Sequence, residues 1–188
     1  MIEKGLTNTR VQTFFISREQ SSCPLVAELA ELGKLLKERR IIDSVRGVIS
    51  FGFGKRLLCT GSKKNLSDLQ REDFLEIVDY DPVKNILLVI GSTYPCPETP
   101  THWLVHRARA DVNVIIQLEG KDMLTKIGKK IPSTENECVS GSFESTKEIL
   151  TTLRKSRSII IKNAGLFVVG SNLQQVEGTM LEALGVKS

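Results

Sequence analysis

Long hydrophobic runs are absent from this sequence, and its 188 residues include only two histidines and one tryptophan. No apolar stretch reaches the roughly 18–20 residues that a helix needs to cross a bilayer, so no membrane-spanning segment is expected. The first ten residues carry charges of both signs and lack the apolar stretch of a secretory signal. We therefore expect a protein of the cytoplasm that has no membrane partner.

A strong charge of either sign is also absent. The 26 lysines and arginines and the 22 acidic residues leave a net charge of +4, and acidic residues lie between the basic pairs. A nucleic-acid-binding surface usually has a concentrated basic footprint, so no nucleic-acid partner is expected. The four cysteines lie far apart and form no CxxC pair, which favours reduced thiols over a disulfide framework.

The remaining composition is that of one folded domain, because 40% of the residues are hydrophobic and 26% are charged. Residues 14–16 are compatible with a short strand or a packing arm. Apolar periodicity and turn signals predict helices near 24–40, 99–109, 121–130, 143–155 and 172–184. They predict strands near 45–53, 56–59, 74–80, 85–90, 112–118, 159–161 and 166–169. Strands and helices mixed in this way predict an α/β or α+β sheet with helices on its faces.

The most specific pattern lies in residues 97–119 (PETPTHWLVHRARADVNVIIQLE), where Glu98 precedes His102 by four residues and an R-x-D-V-N motif follows. This segment resembles the core signature of the class II aldolase/adducin family. Residues 46–50 (RGVIS), 58–61 (LCTG) and 163–170 (NAGLFVVG) resemble further segments of that family in the same order. The resemblance covers residues 23–186. It predicts a domain over 23–188 that follows an N-terminal arm, residues 1–22.

The resemblance implies a three-layer α/β/α fold with a central, largely antiparallel sheet. It also implies a homo-oligomer, which in this family is often a cyclic tetramer with active sites between subunits. Family members hold a divalent metal, usually zinc, on three histidines, and the matching positions here are Gln117, Glu119 and Ala164. We therefore expect a divergent, fuculose-phosphate aldolase-like member that has no zinc and no other cofactor. Gln117 and Glu119 are interpreted as a hydrogen-bonded polar pair in the cleft.

Glu98 keeps the residue type of the family's general acid/base, which exchanges a proton beside the substrate carbonyl. The alternative is that Glu98 caps the following helix, where a negative charge interacts favourably with the helix dipole. The resemblance assigns substrate binding to Gly47, Thr60, Gly61 and Ser62. Gly61 is equally compatible with an ordinary turn glycine.

The positions that donate hydrogen bonds to phosphate in this family are changed in two places. Val48 stands where the family has an asparagine, and Cys96 and Pro97 stand where it has two serines. Because proline has no N–H group, we expect the usual pose of a sugar phosphate to be unavailable.

His102 and His106 lie four residues apart and so share one face of the predicted helix. We expect them to pack and to form hydrogen bonds. A zinc pair completed by Glu98 is the alternative.

Together these features predict a class II aldolase/adducin-like protein that has lost the zinc site and is a non-catalytic binding or assembly homologue. Within the family, the adducin head uses the same fold as an assembly module. One alternative is a lyase or isomerase that acts on a small hydroxy-carbonyl sugar, free or phosphorylated, with Glu98 as acid and base. Another is a regulatory subunit whose partner carries the histidines. The expected partners are further copies of the chain, most simply in a tetramer, and a small sugar or carbonyl ligand.

Overall fold

In a computed structural model, the described residues are 11–38, 46–62, 65–120, 124–125, 127 and 130–186. Within this part of the chain, eight strands form one sheet in the order β1-β5-β4-β3-β2-β6-β8-β7. The strand β1 pairs with β5 in parallel, and every other neighbouring pair is antiparallel. The strands are β1 (Gln12–Ser17), β2 (Gly47–Phe53), β3 (Arg56–Thr60), β4 (Phe74–Asp81), β5 (Ile86–Ile90), β6 (Val114–Glu119), β7 (Ser158–Ile161) and β8 (Gly165–Gly170).

Four helices cover the two faces of this sheet among the described residues. They are α1 (Val26–Glu38), α2 (Thr99–Ala108), α3 (Phe143–Thr152) and α4 (Leu173–Ala183). Residues of α1 and α4 share one apolar cluster with Ile116 of β6, whereas α2 and α3 share another with Ile115. Since successive side chains of a strand point to opposite faces, the sheet is the middle of three layers.

Local sequence explains where these helices begin. Pro100 lies in the first turn of α2. Backbone N–H groups in the first turn have no partner within the helix, so proline, which lacks this group, costs no hydrogen bond there. The side chains of Ser142 and Asn172 accept hydrogen bonds from backbone N–H groups in the first turns of α3 and α4. Such caps satisfy donors that the helix itself leaves unpaired.

The predicted fold class, an α/β domain with a large and mostly antiparallel sheet between helices, is confirmed. Residues 12–17, inside the segment expected to be an arm, form the edge strand β1 of this sheet. The helix predicted near 121–130 lies largely outside the described residues. No helix in the described ranges is both long and apolar enough to cross a membrane.

Candidate functional site

A polar cleft lies where β6 ends and β8 begins, and four positions singled out in the sequence meet there. Glu98, Gln117, Glu119 and Ala164 all line this cavity of about 500 Å³. The rest of the lining is supplied by Arg46, Gly120, Ser140 and Asn163.

The pairing of β6 with its neighbours explains why these residues converge. Gln117 and Glu119 are two apart on β6, so their side chains point to the same face. Glu119 pairs with Gly165 of β8, and the Gly120 N–H group donates to the Ala164 carbonyl at 3.0 Å. Glu98 lies immediately before α2, and the start of this helix places the Glu98 side chain in the lining of the cleft.

The cleft carries two carboxylates and one guanidinium. The Glu98 side chain is 8% exposed and forms no hydrogen bond or ion pair with any described residue. Glu98 is the N-cap residue of α2, as the alternative to a chemical role expects, but its side chain forms no capping hydrogen bond. Burial, followed by the nearby Glu98 carboxylate, raises the pKa of Glu119, while Arg46 acts to lower it. Among the described lining residues, two acidic groups therefore share the site with one guanidinium.

A chain of buried hydrogen bonds leads from the cleft into the layer beneath α2. Gln117 is 6% exposed, and its side-chain amide is hydrogen-bonded to His102 Nε2 at 3.3 Å. His102 Nδ1 is hydrogen-bonded to the Ser50 hydroxyl at 2.8 Å. The same hydroxyl is hydrogen-bonded to His106 Nε2 at 3.0 Å. Gln117 is therefore paired with a histidine rather than with Glu119.

Both histidines of this chain are held neutral. Burial, with a smaller contribution from His106, lowers the pKa of His102 to about 3. Burial likewise lowers the pKa of His106 to about 4. Because an uncharged imidazole has one donor and one acceptor nitrogen, each histidine can donate to one of its partners and accept from the other.

The R-x-D-V-N motif stabilises the turn between α2 and β6 and does not line the cleft. The Nε and Nη2 atoms of Arg109 donate to the two carboxylate oxygens of Asp111, each at 2.8 Å. Its Nη1 atom donates to the Leu153 carbonyl at 2.7 Å. These bonds connect the end of α2 to the segment that follows α3, and they fix how β6 leaves the helix.

The four positions assigned to substrate binding lie outside the lining of this cleft. The Thr60 hydroxyl accepts from the Ile49 N–H group at 3.1 Å. The N–H groups of Gly61 and Ser62 donate to the carbonyls of Asp73 and Tyr94 at 2.7 and 2.9 Å. At Gly47, a Cβ atom would lie 2.2 Å from the Gln117 carbonyl oxygen, so this glycine permits the close approach of β2 to β6.

The changed phosphate positions belong to an apolar cluster. Val48 and Cys96 are both buried there, together with Cys59 and Trp103. Burial raises the pKa of the Cys59 thiol to about 12 and raises that of Cys96 as well, so neither sulfur is an anion. Val48 and Cys96 therefore contribute packing atoms to the apolar cluster.

Sequence reasoning missed Arg46, Gly120, Ser140 and Asn163 as lining residues. Two of them had a usable signal, since Arg46 and Asn163 begin segments that resemble the family. Asn163 has a positive φ of 60° and donates from its side chain to Glu137. Ser140 comes from a loop whose position depends on tertiary packing, because Gly141 approaches the Pro97 carbonyl too closely for any Cβ atom.

Comparison with known proteins agrees with this architecture. Residues 27–119 match the model of the Class II Aldolase and Adducin N-terminal domain. The fold is similar to that of an L-fuculose 1-phosphate aldolase, with a TM-score of 0.70 and 17% identity over 87% of this chain and 82% of the other. No curated protein sequence matches the chain significantly.

Two further solved structures have the same fold. An L-fuculose-1-phosphate aldolase from Thermus thermophilus is 20% identical, with a TM-score of 0.61 over 86% of each chain. The N-terminal class II aldolase domain of a conserved protein from Thermoplasma acidophilum is 13% identical, with a TM-score of 0.60 over 90% of this chain and 94% of the other. The chain therefore has the fold of these class II aldolase structures, and its residues 27–119 are similar to the Class II Aldolase and Adducin N-terminal domain.

The zinc that is usual in this family does not fit the side chains present in the cleft. The Ala164 side chain has no ligating atom, and the Gln117 amide is hydrogen-bonded to His102. Glu119 alone remains of the three positions, whereas catalytic zinc typically has three protein ligands. Among the described residues, no three histidine, cysteine or acidic side chains cluster in a way that could hold a metal ion.

Proposed function

We propose that this protein is a class II aldolase-like binding protein that takes a small polar molecule into the Glu98–Glu119 cleft without zinc chemistry. The observation that carries the proposal is the set of side chains at the three positions that match the family's metal ligands. The Ala164 side chain has no ligating atom, and the Gln117 amide is hydrogen-bonded to His102. Glu119 alone remains, and one carboxylate is too few for a catalytic zinc site.

Metal analysis of the purified protein tests this proposal. After incubation with excess zinc and desalting, the unaltered chain should retain far less than one zinc per chain. The matched control is the triple variant Gln117→His, Glu119→His, Ala164→His. It should retain about one equivalent, because the pairing of β6 with β8 brings these positions together. One zinc held tightly by the unaltered chain and lost in Glu119→Gln would contradict the proposal.

A second candidate, a lyase or isomerase on a small hydroxy-carbonyl compound, is favoured by the Glu98 carboxylate. This side chain is buried and forms no hydrogen bond or ion pair with the described residues. It also lines the cleft, and a general base has to lie within reach of the bound substrate. It would remove a proton from the carbon beside the carbonyl, and the enediolate oxygen would face Arg46 and the Gln117 amide.

Two assays separate the candidates. One measures cleavage of fuculose 1-phosphate, and the other measures exchange of solvent deuterium into dihydroxyacetone. A binding protein gives background rates in both. Turnover that Glu98→Gln abolishes would favour the enzyme.

A further inference from the structure

A groove of about 620 Å³ lies between α2 and α3 and shares no lining residue with the Glu98–Glu119 cleft. The lining residues recur at intervals of three and four along each helix, so each wall is one helix face. We call this the α2–α3 groove and define it by its apolar and its cationic side chains, Leu104, Phe143, Leu150, Arg107, Lys147 and Arg154.

The two walls of the groove are tied together near both ends. The hydroxyls of Thr101 and Thr146 share a hydrogen bond of 2.7 Å near the starts of the two helices. Near their ends, Arg109 Nη1 donates to the Leu153 carbonyl. The spacing of the walls is therefore fixed in the free chain, which lowers the entropy cost of binding a partner.

The floor and one end of the groove are apolar and accessible. Leu104 and Leu150 are only half-buried, and Phe143 is 68% exposed at the start of α3. Apolar surface that is contiguous and lies in a concave groove is typical of a surface that binds another chain.

All the charged side chains that line the groove are cations. The Arg107 guanidinium lies 4.2 Å from the centre of the Trp103 ring, and its Nη2 atom donates to the Lys55 carbonyl at 2.7 Å. Neither of these partners is an anion, so the positive charge of Arg107 is held in place and not neutralised. Lys147 and Arg154 form no ion pair with any described residue.

The carboxylates nearest in sequence do not line the groove. Asp111 binds the Arg109 guanidinium through both of its oxygens. On α3, the Glu148 carboxylate accepts from the Asn136 N–H group at 2.7 Å, and Glu144 is exposed to solvent. Both walls lie inside segments that are described without a gap, 65–120 and 130–186. The groove therefore combines an apolar floor with a positive rim.

We infer that the α2–α3 groove binds an acidic amphipathic helix of a partner protein. Its apolar residues pack on Leu104, Phe143 and Leu150, and its carboxylates pair with the cations on the two walls. A helix fits better than an extended segment, because helical walls offer no unpaired backbone groups for strand addition. The wall from Phe143 to Arg154 is roughly 16 Å long, which corresponds to about three turns of the partner helix.

Fluorescence anisotropy with a labelled peptide tests the inference. The probe is a helical peptide of about fourteen residues, with leucines along one face and glutamates beside them. Its twin carries glutamine in place of every glutamate. We expect the glutamate peptide to bind about tenfold more tightly than the twin, and the ratio to shrink as salt is added.

Variants of the groove separate its charges from its apolar floor. Lys147→Gln and Arg154→Gln should each reduce the ratio of the two affinities by about threefold. Lys155→Gln should leave it unchanged, since this exposed lysine follows Arg154 but lies outside the lining. Phe143→Ser should weaken both peptides equally, whereas Val139→Ser, at a position that is 56% exposed and outside the lining, should weaken neither.

Four outcomes would contradict the acidic helix. Equal affinities for the two peptides, or no binding of either, would remove it. A central proline that leaves the affinity of the glutamate peptide unchanged would mean that the ligand is extended. Binding to phosphatidylserine vesicles that Phe143→Ser abolishes would assign the groove to a membrane surface. A loss of oligomer mass in the double variant Lys147→Glu, Arg154→Glu would assign it to a second copy of the chain.

Discussion

Ser50 connects two imidazoles that the sequence places on one helix face, and this arrangement makes both of them sensitive to acid. In the unfolded chain each histidine has a pKa near 6.5, whereas burial lowers the values in the fold to about 3 for His102 and about 4 for His106. A base whose pKa is lower in the native state binds a proton more readily when unfolded. The stability that the neutral imidazoles contribute is therefore complete above pH 6.5 and is lost as the pH falls towards their folded values.

We expect the free energy of unfolding to fall by about 1.4 kcal/mol per histidine between pH 7.5 and 5.5. Urea unfolding at the two pH values measures this change, in a range where most carboxylates stay ionised. His106→Gln should remove about half of the drop, since it deletes one titrating group. In NMR spectra neither imidazole should titrate above pH 5.5. A native midpoint near 6.5 for both histidines would show that the imidazoles are not buried.

At the same scale, the sequence indicates some members of the site and not others. The period of a strand predicts that Gln117 and Glu119 share a face, and a helix start predicts that Glu98 lies at one end of α2. Ser50 carries no such signal. Its role depends on the pairing of β2 with β6 and on α2 crossing above them, both of which bring together residues that are distant in the chain.

At the scale of elements, Gly33 determines how α1 packs against the short 3₁₀ helix Leu66–Asp68. A Cβ atom at this position would lie 1.8 Å from the Leu66 carbonyl oxygen, so the helix approaches backbone that cannot move as a side chain can. Gly178 of α4 is the opposite case, because no atom lies within 4 Å of the Cβ that would be added there. Substitution of these two helical glycines by alanine therefore changes the same residue type with and without a steric clash.

Gly33→Ala should lower the free energy of unfolding by about 1–3 kcal/mol, because the strain of overpacking exceeds the gain in helix propensity. Gly178→Ala should raise it by about 0.5–1 kcal/mol, since only the propensity changes. Chemical denaturation of the two variants beside the unaltered protein measures both effects. Equal and positive changes would mean that α1 does not contact the Leu66 backbone.

Elements also differ in how far the sequence predicts them. The apolar run that became β6 and the capped helices α3 and α4 were predicted in type and position, because local chemistry decides them. The strand β1 was left open between a strand and a packing arm. Its pairing with β5 is parallel and joins segments about 70 residues apart, so no local turn sequence predicts this pairing.

For the whole molecule, the edge of the sheet at β1 leaves apolar surface uncovered. Phe14 and Ile16 are 55% and 57% exposed, and Ile86 and Leu88 of the neighbouring strand β5 are only half-buried. Phe14 pairs with Leu88, so these side chains form one face, which we call the β1–β5 patch (Phe14, Ile16, Ile86 and Leu88). Exposed edge strands and contiguous apolar patches are typical of surfaces that bind another chain.

We propose that a second copy of the chain covers the β1–β5 patch in a homo-oligomer, most simply a tetramer. Light scattering at micromolar concentration should then give about four times the 20.9 kDa of one chain. The double variant Phe14→Ser, Ile16→Ser should lower that mass, because it replaces the two most exposed side chains of the patch. Val83→Ser is the matched control, since Val83 is 93% exposed but lies alone in the turn between β4 and β5. A monomeric unaltered chain would contradict the oligomer. A double variant that keeps the full mass would leave the oligomer standing and place its interface elsewhere on the surface.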